Sequence, residues 1–107
     1  MNLDLNSLKF DADGLIPVIA QDATTKQVLM LGYATLETLK ESSQLGKLVF
    51  FSRSRNTRWL KGETSGNFLH LESLSADCDL DTVLALVHPA GPTCHTGNAS
   101  CFGDKSD

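Results

Sequence analysis

Between Asp77 and Cys101 the chain gathers all three of its cysteines, Cys78, Cys94 and Cys101. The same stretch holds three aspartates at alternate positions, Asp77, Asp79 and Asp81, and places His95 directly after Cys94. Thiolates are favoured zinc donors, whereas carboxylate oxygens suit Mg²⁺, which keeps several of its waters. In an extended chain side chains alternate, so the aspartates are expected on one face and Cys78 with Leu80 on the other. A solvated acidic turn is the commoner form of such a trio. The cysteine in its midst moves the expectation to magnesium on Asp77, Asp79 and Asp81, with a second metal behind.

The cysteine spacing is Cys78-x15-Cys94-x6-Cys101. A structural zinc site normally shows a close Cys-x₂₋₄-Cys pair and a fourth ligand, and no close pair exists here. Three thiolates with one position left for water would make a catalytic site, unless His95 or His88 closes it. Scattered cysteines are more often buried free thiols. The glycines and prolines around Cys94 and Cys101 favour a loop site instead. With Cys78 facing away from the aspartates, the thiols it meets belong either to its own loop or to a partner chain, and the second case makes a homodimer with a shared zinc. Histidine's ordinary pKa of about 6.5 suits proton transfer at neutral pH, making His95 the candidate general acid/base. His70 and His88 fall on or beside strands, where structural roles are as frequent as functional ones.

Four of the nine basic residues, Arg53, Arg55, Arg58 and Lys61, lie close together in a polar loop punctuated by Gly62 and Gly66. Guanidinium forks, an ammonium and converging backbone N–H groups would hold a phosphate. Arg53, Arg55, Lys61, Glu63, Ser65 and Gly66 are therefore the candidate substrate contacts, against the common alternative of a solvated basic loop. The net charge of -4 argues against a non-specific nucleic-acid binder, which needs a basic surface. An acidic chain with one basic patch suits a small anionic ligand.

The elements that must position these groups are short. Ile16 to Ala20 and Gln27 to Leu31 read as a hairpin buried on both faces. Thr35 can cap a helix of about three turns that ends at Gly46 and leans on the sheet through Leu36, Leu39 and Leu45. Strands are expected over Lys47 to Ser52, Asn67 to Leu74 and Asp79 to Val87, with Arg53 to Asn67 as loop. From His88 onward, prolines and glycines forbid long regular elements. At 107 residues, 41% hydrophobic and 21% charged, the chain is expected to form one domain over residues 1–107. Residues 1–12 are expected to fray and residues 103–107 to form a tail. No run approaches the roughly 18 apolar residues that span a bilayer, and no basic leader precedes the first leucines, so a cytoplasmic location is expected. An odd cysteine count agrees with a reducing compartment.

The segments Ser52 to Arg55, Trp59 to Asn67, Asp77 to Asp81, Gly91 to Gly97 and Ser100 to Phe102 together resemble the phosphoribosyl-AMP cyclohydrolase family, over about Gly14 to Phe102. The resemblance implies hydrolysis of the N1–C6 bond of 1-(5-phosphoribosyl)-AMP, giving the formimino-carboxamide ribonucleotide in histidine biosynthesis. It implies zinc on Cys78, Cys94 and Cys101, shared across a homodimer, and magnesium on Asp77, Asp79 and Asp81. It implies an α+β fold, mostly antiparallel and barrel-like with one main helix, in interlocked subunits. Some relatives carry a phosphoribosyl-ATP pyrophosphatase domain as well; with the chain ending at Asp107, a monofunctional enzyme is expected. Gly32 and Ala34 replace bulkier residues, and Asn67 to His70 departs from the family's usual polar and basic run.

A different class remains as the alternative: a small structural zinc module that recognises an anionic partner, which would need a fourth protein ligand. A zinc nucleoside deaminase would need His-x-Glu and Pro-Cys-x-x-Cys, and neither is present. Cys-x-x-Cys redox chemistry is likewise absent.

Overall fold

The computed structural model describes residues 3–103. Its elements in chain order are a 3₁₀ turn at Leu5–Ser7, β1 (Ile16–Asp22), β2 (Val28–Ala34), α1 (Leu36–Leu45), β3 (Val49–Ser52), β4 (Thr57–Leu60), β5 (Leu69–Ala76) and β6 (Val83–Pro89). The strands form a four-stranded sheet, β2-β1-β6-β5, and a separate β3-β4 hairpin, without closing into a barrel. All pairings are antiparallel except β1 with β6. This is the α+β class expected, with a single helix among the described residues.

The expected hairpin is β1-β2, but it is not buried on both faces. Ile16, Val18 and Ala20 point into the core, while Pro17 and Ile19 on the other face remain half-buried. Strand β6 alternates in the same way, with Val83, Ala85 and Val87 fully buried and Leu84 and Leu86 half-buried. Ile19 is in register with Leu31 on one side and Leu84 on the other. Among the described residues this apolar row across the sheet is only partly covered, with Leu31 exposed.

Helix α1 follows its caps. The Thr35 hydroxyl accepts from Thr38 N–H at 3.1 Å, and Thr38 Oγ1 accepts from Thr35 N–H at 2.9 Å. Gly46 ends the helix at φ +72°, which glycine adopts without a Cβ penalty. Of the three leucines expected to dock, Leu39 is fully buried and Leu36 partly, whereas Leu45 is exposed. Leu45 is six residues beyond Leu39 and so about two-thirds of a turn out of phase with it. Its expected place is taken by Ser42, whose buried hydroxyl donates to Thr38 C=O and accepts from Val49 N–H, both at 2.8 Å. The helix is thus fastened to β3 by a polar residue that hydrophobic periodicity passes over.

Gly32, a departure from bulkier residues, has a local reason: a Cβ there would stand 2.6 Å from the fully buried ring of Phe50. The N-terminal segment expected to fray packs instead. Leu8 is buried, Leu3, Leu5 and Phe10 lie against the core, and Lys9 N–H donates to Leu80 C=O at 2.8 Å. Residues 1–2 and 104–107, the latter most of the expected tail, lie outside the described residues.

Candidate active site

The aspartates do not lie on a strand. Residues 77–82 form a turn before β6, closed by Asp77 N–H to Thr82 C=O and Leu80 N–H to Asp77 C=O, both at 3.1 Å. Alternation therefore does not apply to them. The trio meets all the same, because the turn folds it inward: the carboxylates of Asp77, Asp79 and Asp81 lie within 4.8 Å of one another. Leu80 pays for this geometry with φ +65°, a left-handed conformation that costs a leucine on the order of 1 kcal/mol or more.

The charges inside the turn are uneven. Desolvation is the largest single influence on Asp77 and acts upward. The Asp81 and Thr82 N–H groups, with hydrogen bonds to Asp79 and Asp81, outweigh it and hold the carboxyl below its ordinary value. Asp79 is pushed up, first by its hydrogen bonds to Asp81 and Asp77 and then by desolvation. Three carboxylates that cannot all ionise comfortably form a donor set suited to a hard divalent cation.

The thiols divide differently. Cys94 and Cys101 sit on one loop, close enough that each acts on the other's titration and Lys61 acts on both. Thr96 Oγ1 donates to Cys94 Sγ at 3.1 Å, and this bond with a second from the Thr96 backbone lowers the Cys94 pKa. Burial, followed by the charge of Cys94, raises that of Cys101. One thiolate forms readily and the second resists unless a cation joins it, so the pair suits a metal such as zinc. Among the described residues no third cysteine, histidine or carboxylate joins them. His95 is exposed on the rim, and His88 Nε2 is held 2.7 Å from Glu72 instead, so neither closes the site. Cys78 is exposed on the aspartate turn.

The loop carrying Cys94 and Cys101 is anchored from afar. Cys101 N–H donates to Leu29 C=O at 2.7 Å, and the buried Ser100 hydroxyl donates to Val28 C=O at 2.7 Å. Lys61 Nζ donates to Thr93 C=O at 2.6 Å. Ser100 and Thr93 have no metal or acid–base signature and escaped the sequence reading. Thr93 is buried with its hydroxyl unpartnered, on the wall of the main cleft.

That cleft, of about 360 Å³, brings Lys61, Glu63 and Ser65 together with Cys94 and His95. Trp59 forms a wall, with its ring 5.2 Å from Lys61 Nζ. The remaining basic residues do not converge there. The Arg53 guanidinium lies 3.9 Å from the Tyr33 ring centre, and Arg58 makes a two-pronged ion pair with Glu41 at 2.6 and 2.8 Å. Arg55 lines a neighbouring cleft. Arg53 and Arg55 sit in the turn before β4, and Arg58 is placed by β4 itself: Thr57–Leu60, expected as loop, pairs with β3 and sends successive side chains to opposite faces. Asn56, at φ +52°, makes the turn possible and was the overlooked signal.

The glycine loop also differs from an open anion cradle. Gly66 N–H is spent on Gly62 C=O at 2.7 Å, and Asn67 N–H on Ser65 Oγ at 3.2 Å. Gly62 is required as glycine, since φ is +92° and a Cβ would stand 2.6 Å from the backbone of Asn67 and Phe68. The Ser65 side chain and Lys61, rather than Gly66, remain available to an anion.

A family model described as phosphoribosyl-AMP cyclohydrolase matches residues 30–103. The chain is similar to the histidine biosynthesis bifunctional protein HisIE of Escherichia coli strain K12, with 56% identity over 94 residues, covering 88% of this chain and 46% of the relative. The protein of the same name in Campylobacter jejuni is 59% identical over 90 residues, covering 84% and 44%. That in Bacteroides thetaiotaomicron is 49% identical over 107 residues, covering 100% and 51%. The chain spans about half the length of these relatives. Among the described residues no helix is long and apolar enough to cross a membrane.

Proposed function

Because the chain belongs to the phosphoribosyl-AMP cyclohydrolase family, we propose that it opens the adenine ring of 1-(5-phosphoribosyl)-AMP by hydrolysing the N1–C6 bond, a step of histidine biosynthesis. The observation that carries this reading is the main cleft, where the Cys94 thiol, His95 and the loop bearing Lys61 line one cavity. Cys94 and Cys101 would hold zinc, with Cys78 of a second copy as third ligand. Bound zinc lowers the pKa of a coordinated water toward neutrality and so makes a nucleophile available at pH 7. Asp77, Asp79 and Asp81 would hold magnesium.

Hydrolysis adds the elements of water across N1–C6. C6 becomes a carboxamide carbon, and N1 must take a proton as the bond breaks. His95, adjacent to Cys94 and facing the cleft, would deliver that proton to N1. Trp59 offers an aromatic face for the purine. Lys61 and Ser65 would receive a phosphate, with the unpartnered Thr93 hydroxyl available to a polar group of the ligand.

A homodimer is supported by two features. Among the described residues Cys94 and Cys101 lack a third ligand, and the Leu31, Ile19 and Leu84 row is an apolar sheet face only partly covered. The test is an absorbance assay with phosphoribosyl-AMP, with and without a chelator. Chelator-sensitive ring opening is expected; its absence in protein supplied with zinc and magnesium overturns the proposal. His95→Ala is expected to lower turnover about 10²–10⁴-fold with zinc still bound. Unchanged turnover would remove His95 from the reaction.

A further inference from the structure

The main cleft has a neighbour of about 420 Å³ on the other side of a shared wall. Trp59 and Glu63 line both; Ser52, Ser54, Arg55, Thr57 and Arg58 belong to the second alone. Of the three arginines in this part of the chain, only Arg55 has an uncommitted guanidinium among the described residues. Arg53 lies over Tyr33, and Arg58 is paired with Glu41. Hydroxyls surround Arg55. Ser52 Oγ and Ser54 Oγ are 3.3 Å apart, and the Ser52 oxygen also accepts from Arg55 N–H at 3.3 Å, holding the turn in shape. A free guanidinium beside the Ser52, Ser54 and Thr57 hydroxyls, with one O–H spent between the two serines, is a phosphate-binding set.

We propose that this second cleft is a separate phosphate subsite, which takes the 5′-phosphate of the AMP half while the phosphate of the N1-ribosyl group stays with Lys61 and Ser65. The inference rests on the reading of the main cleft given above. A ligand carrying a phosphate at each end needs two anion sites, and the fold separates the available cations into two clefts. The reacting C6 must lie near Cys94 and His95. The N1-ribosyl group is attached next to C6, so its phosphate has the shorter path and remains in the main cleft. The adenosine ribose hangs from the far side of the purine, so its phosphate reaches past Trp59. Glu63 on the shared wall repels a phosphate placed centrally and favours the two ends.

AMP alone separates the two subsites, because it carries only the far phosphate. Calorimetric titration with AMP is expected to show affinity reduced about 10- to 100-fold in Arg55→Ala, partly restored in Arg55→Lys, at an unchanged melting temperature. Ser65→Ala is expected to raise KM for phosphoribosyl-AMP while leaving AMP affinity as in the wild type. AMP affinity indifferent to Arg55, in a wild-type chain that opens the ring, overturns the subsite alone. Arg55-dependent AMP binding in a chain that opens no ring leaves the subsite standing and overturns the reaction on which it was read.

Discussion

The aspartate turn and the thiol loop both gather metal-ligand side chains, yet they are built by opposite means. The turn is local. It closes with hydrogen bonds among residues 77–82 and presents all three carboxylates from one chain. The thiol loop is held by Val28, Leu29 and Lys61, far away in sequence, and presents two thiols where three are proposed. A site whose donors are sequence neighbours can be completed by a short stretch of backbone. One whose donors lie far apart depends on packing, and under the proposed reading on a second copy as well.

The largest expected effect tests the proposed sharing of zinc between two copies. Cys78→Ser and Cys94→Ser should each be inactive alone, yet mixing the two after dissociation and reassociation should recover roughly a quarter of wild-type activity. Random pairing makes half the dimers mixed, and each of those carries one intact site out of two. No recovery in dimers verified as mixed would return all three thiols to one chain.

Next in size is Ser100→Ala. It removes a buried hydroxyl that serves two carbonyls of β2 and accepts from Phe102 N–H, and should cost about 1–3 kcal/mol. Denaturant melts should show that loss together with weaker zinc retention, while magnesium binding stays unchanged. If magnesium affinity falls equally, the two regions are not independent.

The smallest effect concerns the turn. The folded-state pKa of Asp77 is depressed, so its contribution to stability is present above the unfolded carboxylate value and lost as pH falls through the lower folded value. In metal-free protein Asp77→Asn should flatten the acid limb of the stability–pH curve and leave zinc retention as it was. An acid limb of unchanged slope would remove Asp77 as a titrating contributor.

How far the sequence could be read follows the same division between local and distant causes. The α1 boundaries were legible because Thr35 and Gly46 act on their own neighbours. The β1-β2 hairpin was legible from two apolar runs around a polar loop. Strand β4 was not, since Thr57 to Leu60 gains its strand character from pairing with β3 and three of its four residues are exposed. The separation of Arg53, Arg55 and Arg58 was hidden for the same reason. The partners of Arg53 and Arg58, Tyr33 and Glu41, lie on other elements.

Residue chemistry alone determined that this chain offers thiolates, clustered carboxylates, a histidine and a basic loop, because donor type belongs to the side chain. Motif order over most of the chain carried the family. Tertiary structure decided the rest. It turned the presumed aspartate strand into a strained turn, moved Gly66 N–H from ligand to backbone, and divided one basic patch between two clefts. Each of these depends on where another segment lies, and spacing along a chain does not carry that information.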